Sequence, residues 1–105
     1  MILARIIVKT KKQAEEIARL LLTQKLIYSA NIISNKAFNK NEENGEITFE
    51  KKTIIEGKTK ALLFTTINKV LRQKYPENMP LIYAVPIIYM DDEQIQLLRD
   101  QTAKI

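Results

Sequence analysis

Between Lys11 and Lys25 the apolar residues Ala14, Ile17, Ala18, Leu21 and Leu22 recur at i, i+3, i+4, i+7 and i+8, while Glu15, Glu16 and Arg19 stand off that stripe. A helix is the only regular structure that gathers those five side chains on one face. Just before it, Thr10-Lys11-Lys12-Gln13 matches the S/T-x-x-E/Q capping box, in which hydroxyl and amide side chains satisfy the first free backbone N–H groups. Before the box, Ile2 to Val8 is a short β-branched run suited to a strand buried on both faces. A strand running into a one-sided helix must be layered. Each large side chain of the stripe gains about 1.5–3 kcal/mol on burial, which only a second layer can supply.

Further along, Leu26 to Ser34 reads as a second strand, and the asparagine-rich stretch Asn35 to Gly45 as a loop or bulge. Strand character returns from Glu46, Glu56-Gly57-Lys58 offers a turn, and Lys60 to Thr66 supplies a returning strand. Ile67, Val70 and Leu71 have helical spacing, and Pro76 ends that helix near Tyr75. Leu81 to Ile88 is the last strand, with Pro86 confined to an edge or bulge. Asp91-Asp92-Glu93-Gln94 then caps a short helix carrying Ile95 and Leu98. The order predicts one α+β domain over residues 1–105, a ferredoxin-like βαββαβ sandwich with a long hairpin and a C-terminal helix. Both main helices then lie on one sheet face. The other face is left for the terminal helix, a nucleic acid or another subunit to cover.

Composition narrows the chemistry. The chain has no cysteine and no histidine, which excludes disulfides, thiolate or imidazole metal sites and Ser-His-Asp triads. Nothing arranges its Tyr, Lys and Glu residues for acid-base work, so a non-enzymatic protein is expected. No apolar run nears the roughly 20 residues that span a bilayer, and MILARIIVKTKK makes a poor signal peptide. A soluble cytoplasmic protein without a membrane partner follows as the expectation. The net charge of +5 invites nucleic acid, but the lysines are spread along the chain. No segment has the aromatic pattern of an RNA-recognition strand, so nucleic acid is not the expected partner.

Several strings together resemble the CutA family of divalent-cation-tolerance proteins, trimers related in shape to the PII signalling proteins. They are Leu26-Ile27-Tyr28-Ser29-Ala30-Asn31-Ile32, Ile47-Thr48-Phe49-Glu50-Lys51-Lys52, Leu62-Leu63-Phe64-Thr65-Thr66 and Tyr75-Pro76-Glu77-Asn78-Met79-Pro80-Leu81-Ile82-Tyr83-Ala84-Val85-Pro86-Ile87. All three prolines of the chain fall in the last string, at the family spacing. Ser29 stands where the family has cysteine, Tyr75 where it has histidine and Phe49 where it has tryptophan, while Asn35 to Gly45 looks like an insertion.

What the resemblance implies is a homotrimer involved in divalent cation tolerance or signalling, with a ligand cleft between subunits. Asn31, Glu50, Tyr75 and Asn78 are the ligand-binding candidates. Asn31 either faces that cleft or bonds a neighbouring loop. Glu50 and Glu77 are the metal candidates, as oxygen ligands suited to hard divalent ions, and the competing reading makes both solvated surface groups. No cofactor is fixed by the residues; a divalent metal ion is the one the resemblance implies. A PII-like regulator of a small molecule or nucleotide is the alternative, although Gly45 and Gly57 are the only glycines available for a phosphate loop. The run Thr53-Ile54-Ile55 is expected at an exposed hairpin tip, which places Phe49, Ile54 and Ile55 at the trimer interface.

Overall fold

The computed structural model describes residues 1–104. Its elements run β1 (Ile2–Val8), α1 (Lys11–Thr23), β2 (Ser29–Lys40), β3 (Ile47–Thr59), α2 (Phe64–Lys74), β4 (Leu81–Pro86) and α3 (Asp92–Gln101), with a 3-10 turn at Ala61–Leu63 leading into α2. The strands form one antiparallel sheet in the order β2-β3-β1-β4, the ferredoxin-like arrangement.

Alternation along β1 shows that it is covered on one face rather than both as expected, because the helices pack on only one side of the sheet. Ile2, Ala4, Ile6 and Val8 are buried, while the residues between them are only half-buried. Ile6 pairs with Ile55 and meets Ile17, Leu21, Leu63, Ile67 and Leu71 in the core, where both main helices contribute their stripes. Thr10 Oγ1 accepts from Gln13 N at 3.1 Å, which realises one half of the capping box. At the other end of α1, Leu26 N donates to Leu21 O and Lys25 N to Leu22 O, the paired bonds of a Schellman motif. Lys25 takes the left-handed position, φ 57°, that glycine usually fills. The C-terminal segment is tied to the sheet end near that turn: Ala103 N donates to Lys25 O, and Lys60 Nζ to Ala103 O at 2.9 Å. The opposite sheet face stays open, with Leu81 62% and Val85 42% exposed.

The hairpin differs from expectation in three places. Asn35 to Lys40 is not a loop but the second half of β2, paired without a break to Lys52 through Ile47. Cross-strand pairing overrides the weak strand preference of asparagine there, and the turn is confined to Asn41–Gly45. Asn41 Oδ1 accepts from Glu43 N, Asn44 Oδ1 accepts from Glu46 N, and Gly45 supplies a positive φ of 74°. Second, Gly57 is no turn residue. It sits inside β3, where a Cβ would lie 3.0 Å from Ile27 Cγ2, so close packing rather than chain reversal requires glycine. Third, Lys60 to Thr66 is no strand: Leu63, Ile67 and Leu71 are spaced four apart and fully buried, and that stripe winds the segment into α2.

Those shifts also correct the interface residues. Ile54 and Ile55 lie mid-sheet opposite Ile7 and Ile6, not at a hairpin tip. Ile55 is sealed under the helices at 0% exposure, so it has no surface to offer a partner. Ile54 points to the open face yet is 4% exposed. Phe49 does stand near the tip, half exposed, with its ring centroid 5.6 Å from that of Phe38.

The hairpin outruns the sheet. Val8, the last residue of β1, lies opposite Thr53, and six further β2–β3 pairs continue beyond it, a two-stranded ribbon about 20 Å long. Asn41 N donates to Glu46 O, which fixes the ladder so that even-numbered residues of β3 turn their backbone groups to β2 and odd-numbered ones to β1. Past Val8 there is no β1. Lys51, Phe49 and Ile47 therefore carry backbone N–H and C=O groups with no strand beside them.

Candidate functional site

Where the ribbon leaves the sheet, three elements converge. The end of β1 supplies Ile7 to Lys9, the stretch from Tyr75 to Leu81 crosses from α2 to β4, and one face of the ribbon presents Asn35, Ala37, Asn39 and Lys52. Between them lies a cavity of about 750 Å³. Its geometry follows from the prolines: α2 cannot continue past Tyr75, and the segment between Pro76 and Pro80 bridges to β4 across the strand ends.

Tyr75 is the most constrained polar group there. Its N–H closes α2 on Leu71 O at 2.8 Å, its ring packs against the core, and its buried hydroxyl has no hydrogen-bond partner. Burial, and then the negative charge of Glu16, push its pKa above the usual value of 10.0; the Gln13 side chain, nearby without meeting hydrogen-bond geometry, acts in the opposite sense. The phenol is thus neutral through the physiological range.

Of the four ligand-binding candidates, Tyr75 and Asn78 share this cavity. Asn31 and Glu50 do not line it. Asn31 is exposed on the open sheet face opposite Glu56, three rungs and about 20 Å along β3 from Glu50. Glu50 is exposed and pairs with Lys52 at 3.3 Å. Glu77 does line the cavity, but with Lys9 and Lys52 rather than with a second carboxylate. Among the described residues, no three His, Cys, Asp or Glu side chains converge as metal ligands. The donor set here does not suit a divalent ion: the one carboxylate lining the cavity shares it with two lysines and has no second acidic ligand. Sequence reasoning missed Lys9, Gln13, Asn35 and Lys52 as cavity residues; no local motif brings them together, only the meeting of the end of β1, the start of α1 and the extended hairpin.

On the open face, Arg5 Nε lies 3.1 Å from Glu56 Oε2, and Arg5 Nη1 donates to Tyr83 Oη at 2.7 Å. Ile33, Ile54, Ile7 and Leu81 form the next rung, an apolar row across all four strands.

Fold and site together define a ferredoxin-like α+β protein with a polar cavity at the root of a projecting ribbon. Residues 2–101 match the family described as CutA1 divalent ion tolerance protein, and the chain belongs to that family. Among solved structures it is similar to the divalent ion tolerance protein CutA1 of Ehrlichia chaffeensis, at 29% identity and a TM-score of 0.83 over 98% of this chain and 95% of that one. It is also similar to the periplasmic divalent cation tolerance protein CutA of Archaeoglobus fulgidus, at 25% identity and a TM-score of 0.83 over 96% and 98% of the two chains. CutA1 of Pyrococcus horikoshii has the same fold, with a TM-score of 0.86 at 23% identity over 99% and 100% of the two chains. Comparison with curated protein sequences finds no relative. No helix among the described residues is long and apolar enough to cross a membrane.

Proposed function

We propose that this protein works as a non-enzymatic homotrimer in divalent cation tolerance or signalling, and that its ribbons are the means of assembly. The observation that carries the reading is the bare edge of β3 from Ile47 to Lys51. Its backbone groups lack a strand neighbour, and the same stretch exposes Ile47 at 72% and Phe49 at 52%, beside Phe38 at 65%. Edges and apolar patches of this kind are satisfied by another chain. The open sheet face, with Ile33 40% and Leu81 62% exposed, offers the complementary apolar surface. Closed head-to-tail pairing of three copies satisfies every edge at once, whereas an unclosed arrangement grows into fibres.

Sedimentation equilibrium tests the assembly: the expected mass is about three times the 12.2 kDa chain, and a monomer at micromolar concentration overturns the reading. Paired replacement of Phe38 and Phe49 by Lys is expected to release folded monomers. A cytoplasmic location belongs to the same proposal. The Archaeoglobus relative is named as periplasmic, so cell fractionation is the direct test. The alternative of a PII-like small-molecule regulator draws support from the cavity at Tyr75 and Asn78.

A further inference from the structure

A second hollow lies beside the first at the foot of the ribbon, with a volume of about 540 Å³. Lys9, Lys36, Lys51 and Lys52 line it, together with Ser34 and Thr53, and no carboxylate does. The register makes this concentration of charge costly. Lys36 and Lys51 are direct cross-strand partners, and the ladder makes theirs a non-hydrogen-bonded pair, the kind whose side chains stand closest. Like charges so placed destabilise a sheet. Extending the β1–β3 register by one residue sets Lys9 opposite Lys52, a second like-charge juxtaposition on the other face of the ribbon. Among the described residues, Glu50 offsets only Lys52, while Lys9, Lys36 and Lys51 form no ion pair.

The neighbouring groups are donors too. Ser34 and Thr53 face each other one rung below Lys36 and Lys51, on the same side of the sheet. Four lysines lining one hollow with two hydroxyls make a set that accepts several anionic oxygens and has no use for a cation.

We propose that this cleft binds a small polyphosphate anion, through Lys9, Lys36, Lys51 and Lys52 with the Ser34 and Thr53 hydroxyls. Four lysines around one hollow exceed what one phosphate engages, so linked phosphates are the class that fits. The lining includes no aromatic side chain on which a base would stack; Phe49 lies nearby with Lys36 Nζ over its ring at 4.8 Å. Recognition therefore stops at the phosphates. Every lining residue belongs to one chain, and the cleft uses the side chain of Lys51, whose backbone edge the trimer reading gives to a neighbour.

Isothermal titration with inorganic tripolyphosphate at low salt tests it, with sedimentation of the same samples to keep assembly separate. One saturable site per chain is expected, weakened at least about tenfold when Lys36→Gln and Lys51→Gln are combined. The control pair Lys11→Gln and Lys12→Gln, which removes equal charge from α1, is expected to change affinity less than about twofold. Adenosine triphosphate should match tripolyphosphate and orthophosphate should bind more weakly. Without ligand, the Lys36/Lys51 double variant should melt above the wild type, since a like-charge pair has been removed. Absence of saturable binding overturns the proposal, as does an equal loss in the control pair, or single-stranded RNA occupying the same lysines more tightly than tripolyphosphate.

Discussion

Arg5 and Glu56 stand opposite each other on β1 and β3, with Nε 3.1 Å from Oε2 and side chains only 27% and 22% exposed. They place a charge pair on the open face one rung from an apolar row. Glu56→Gln is expected to cost about 1 kcal/mol, the upper end of what accessible ion pairs contribute. A double-mutant cycle with Arg5→Met, read by urea denaturation, should return a coupling of that order. Strict additivity would show that the pair contributes nothing.

Gly57 packs against Ile27 so closely that a methyl group would meet three of its carbons at 3.0 to 3.2 Å. Ile27 is buried and cannot withdraw. Gly57→Ala should destabilise by about 1–3 kcal/mol, as overpacked cores do, against a gain of up to about 1 kcal/mol from the stiffer unfolded chain. A midpoint in chemical denaturation at or above that of the wild type would contradict the close approach.

Lys25 occupies a left-handed backbone position at the end of α1. An L side chain there costs about 1–2 kcal/mol, part of which glycine returns as unfolded-chain entropy. Lys25→Gly should therefore stabilise by about 0.5–1 kcal/mol. Its carbonyl still accepts from Ala103 N. Thermal melts at matched concentration measure the change.

Ile55 and Phe49 should separate folding from assembly. Ile55→Ala empties a fully buried site and is expected to cost about 2–5 kcal/mol. Phe49→Ser, on the exposed ribbon, should leave the fold's hydrogen-exchange protection intact while lowering the sedimenting mass. The reverse pattern would mean that the ribbon is internal to one chain's stability.

Tyr75 should leave a signature in alkali. Its pKa is raised above 10.0, so the folded chain holds the phenolic proton more tightly than the unfolded chain. Below pH 10 both states are protonated and no pH dependence arises. From about pH 10 upward the unfolded state releases its proton first, so stability falls until the folded phenol also ionises. Tyr75→Phe should abolish that part of the decline, and near pH 7 it should stabilise by up to about 1 kcal/mol by removing an unsatisfied hydroxyl. A hydroxyl that matters to ligand binding would show instead as lost affinity in the same variant.

β1, α1 with its Thr10 cap, α3 with its Asp91 cap, and the edge position of Pro86 were legible because each rests on a local rule. Asp91 Oδ2 accepts from Gln94 N at 3.2 Å as the pattern requires. Pro86 lies on the edge strand β4, with its ring nitrogen turned outward, where no N–H is missed. The hairpin was misread because its signals are not local. Asparagines that punctuate loops elsewhere are held in β2 by their partners on β3, and a glycine that resembles a turn serves the packing of a distant isoleucine. The stripe of Leu63, Ile67 and Leu71 was a signal for the helical path that begins at Ala61 and runs into α2, hidden by the β-branched Thr65 and Thr66. Tyr75, Glu77 and Asn78 came from a resemblance, and the fold brings them together. Their lysine neighbours emerged only once the ribbon's true length was known.

That ribbon runs from Ser34 and Thr53 to its tip through unbroken pairing, with no slipped rung among its six pairs. Mechanically it is a lever without a joint. With no slipped rung to absorb it, a small rotation at the foot is carried along the arm to Asn41–Gly45 and grows with its length. Lys9, Lys36, Lys51 and the Tyr75 cavity all surround the fulcrum. Whatever presses there, an anion or a neighbouring chain, acts where the least movement carries furthest.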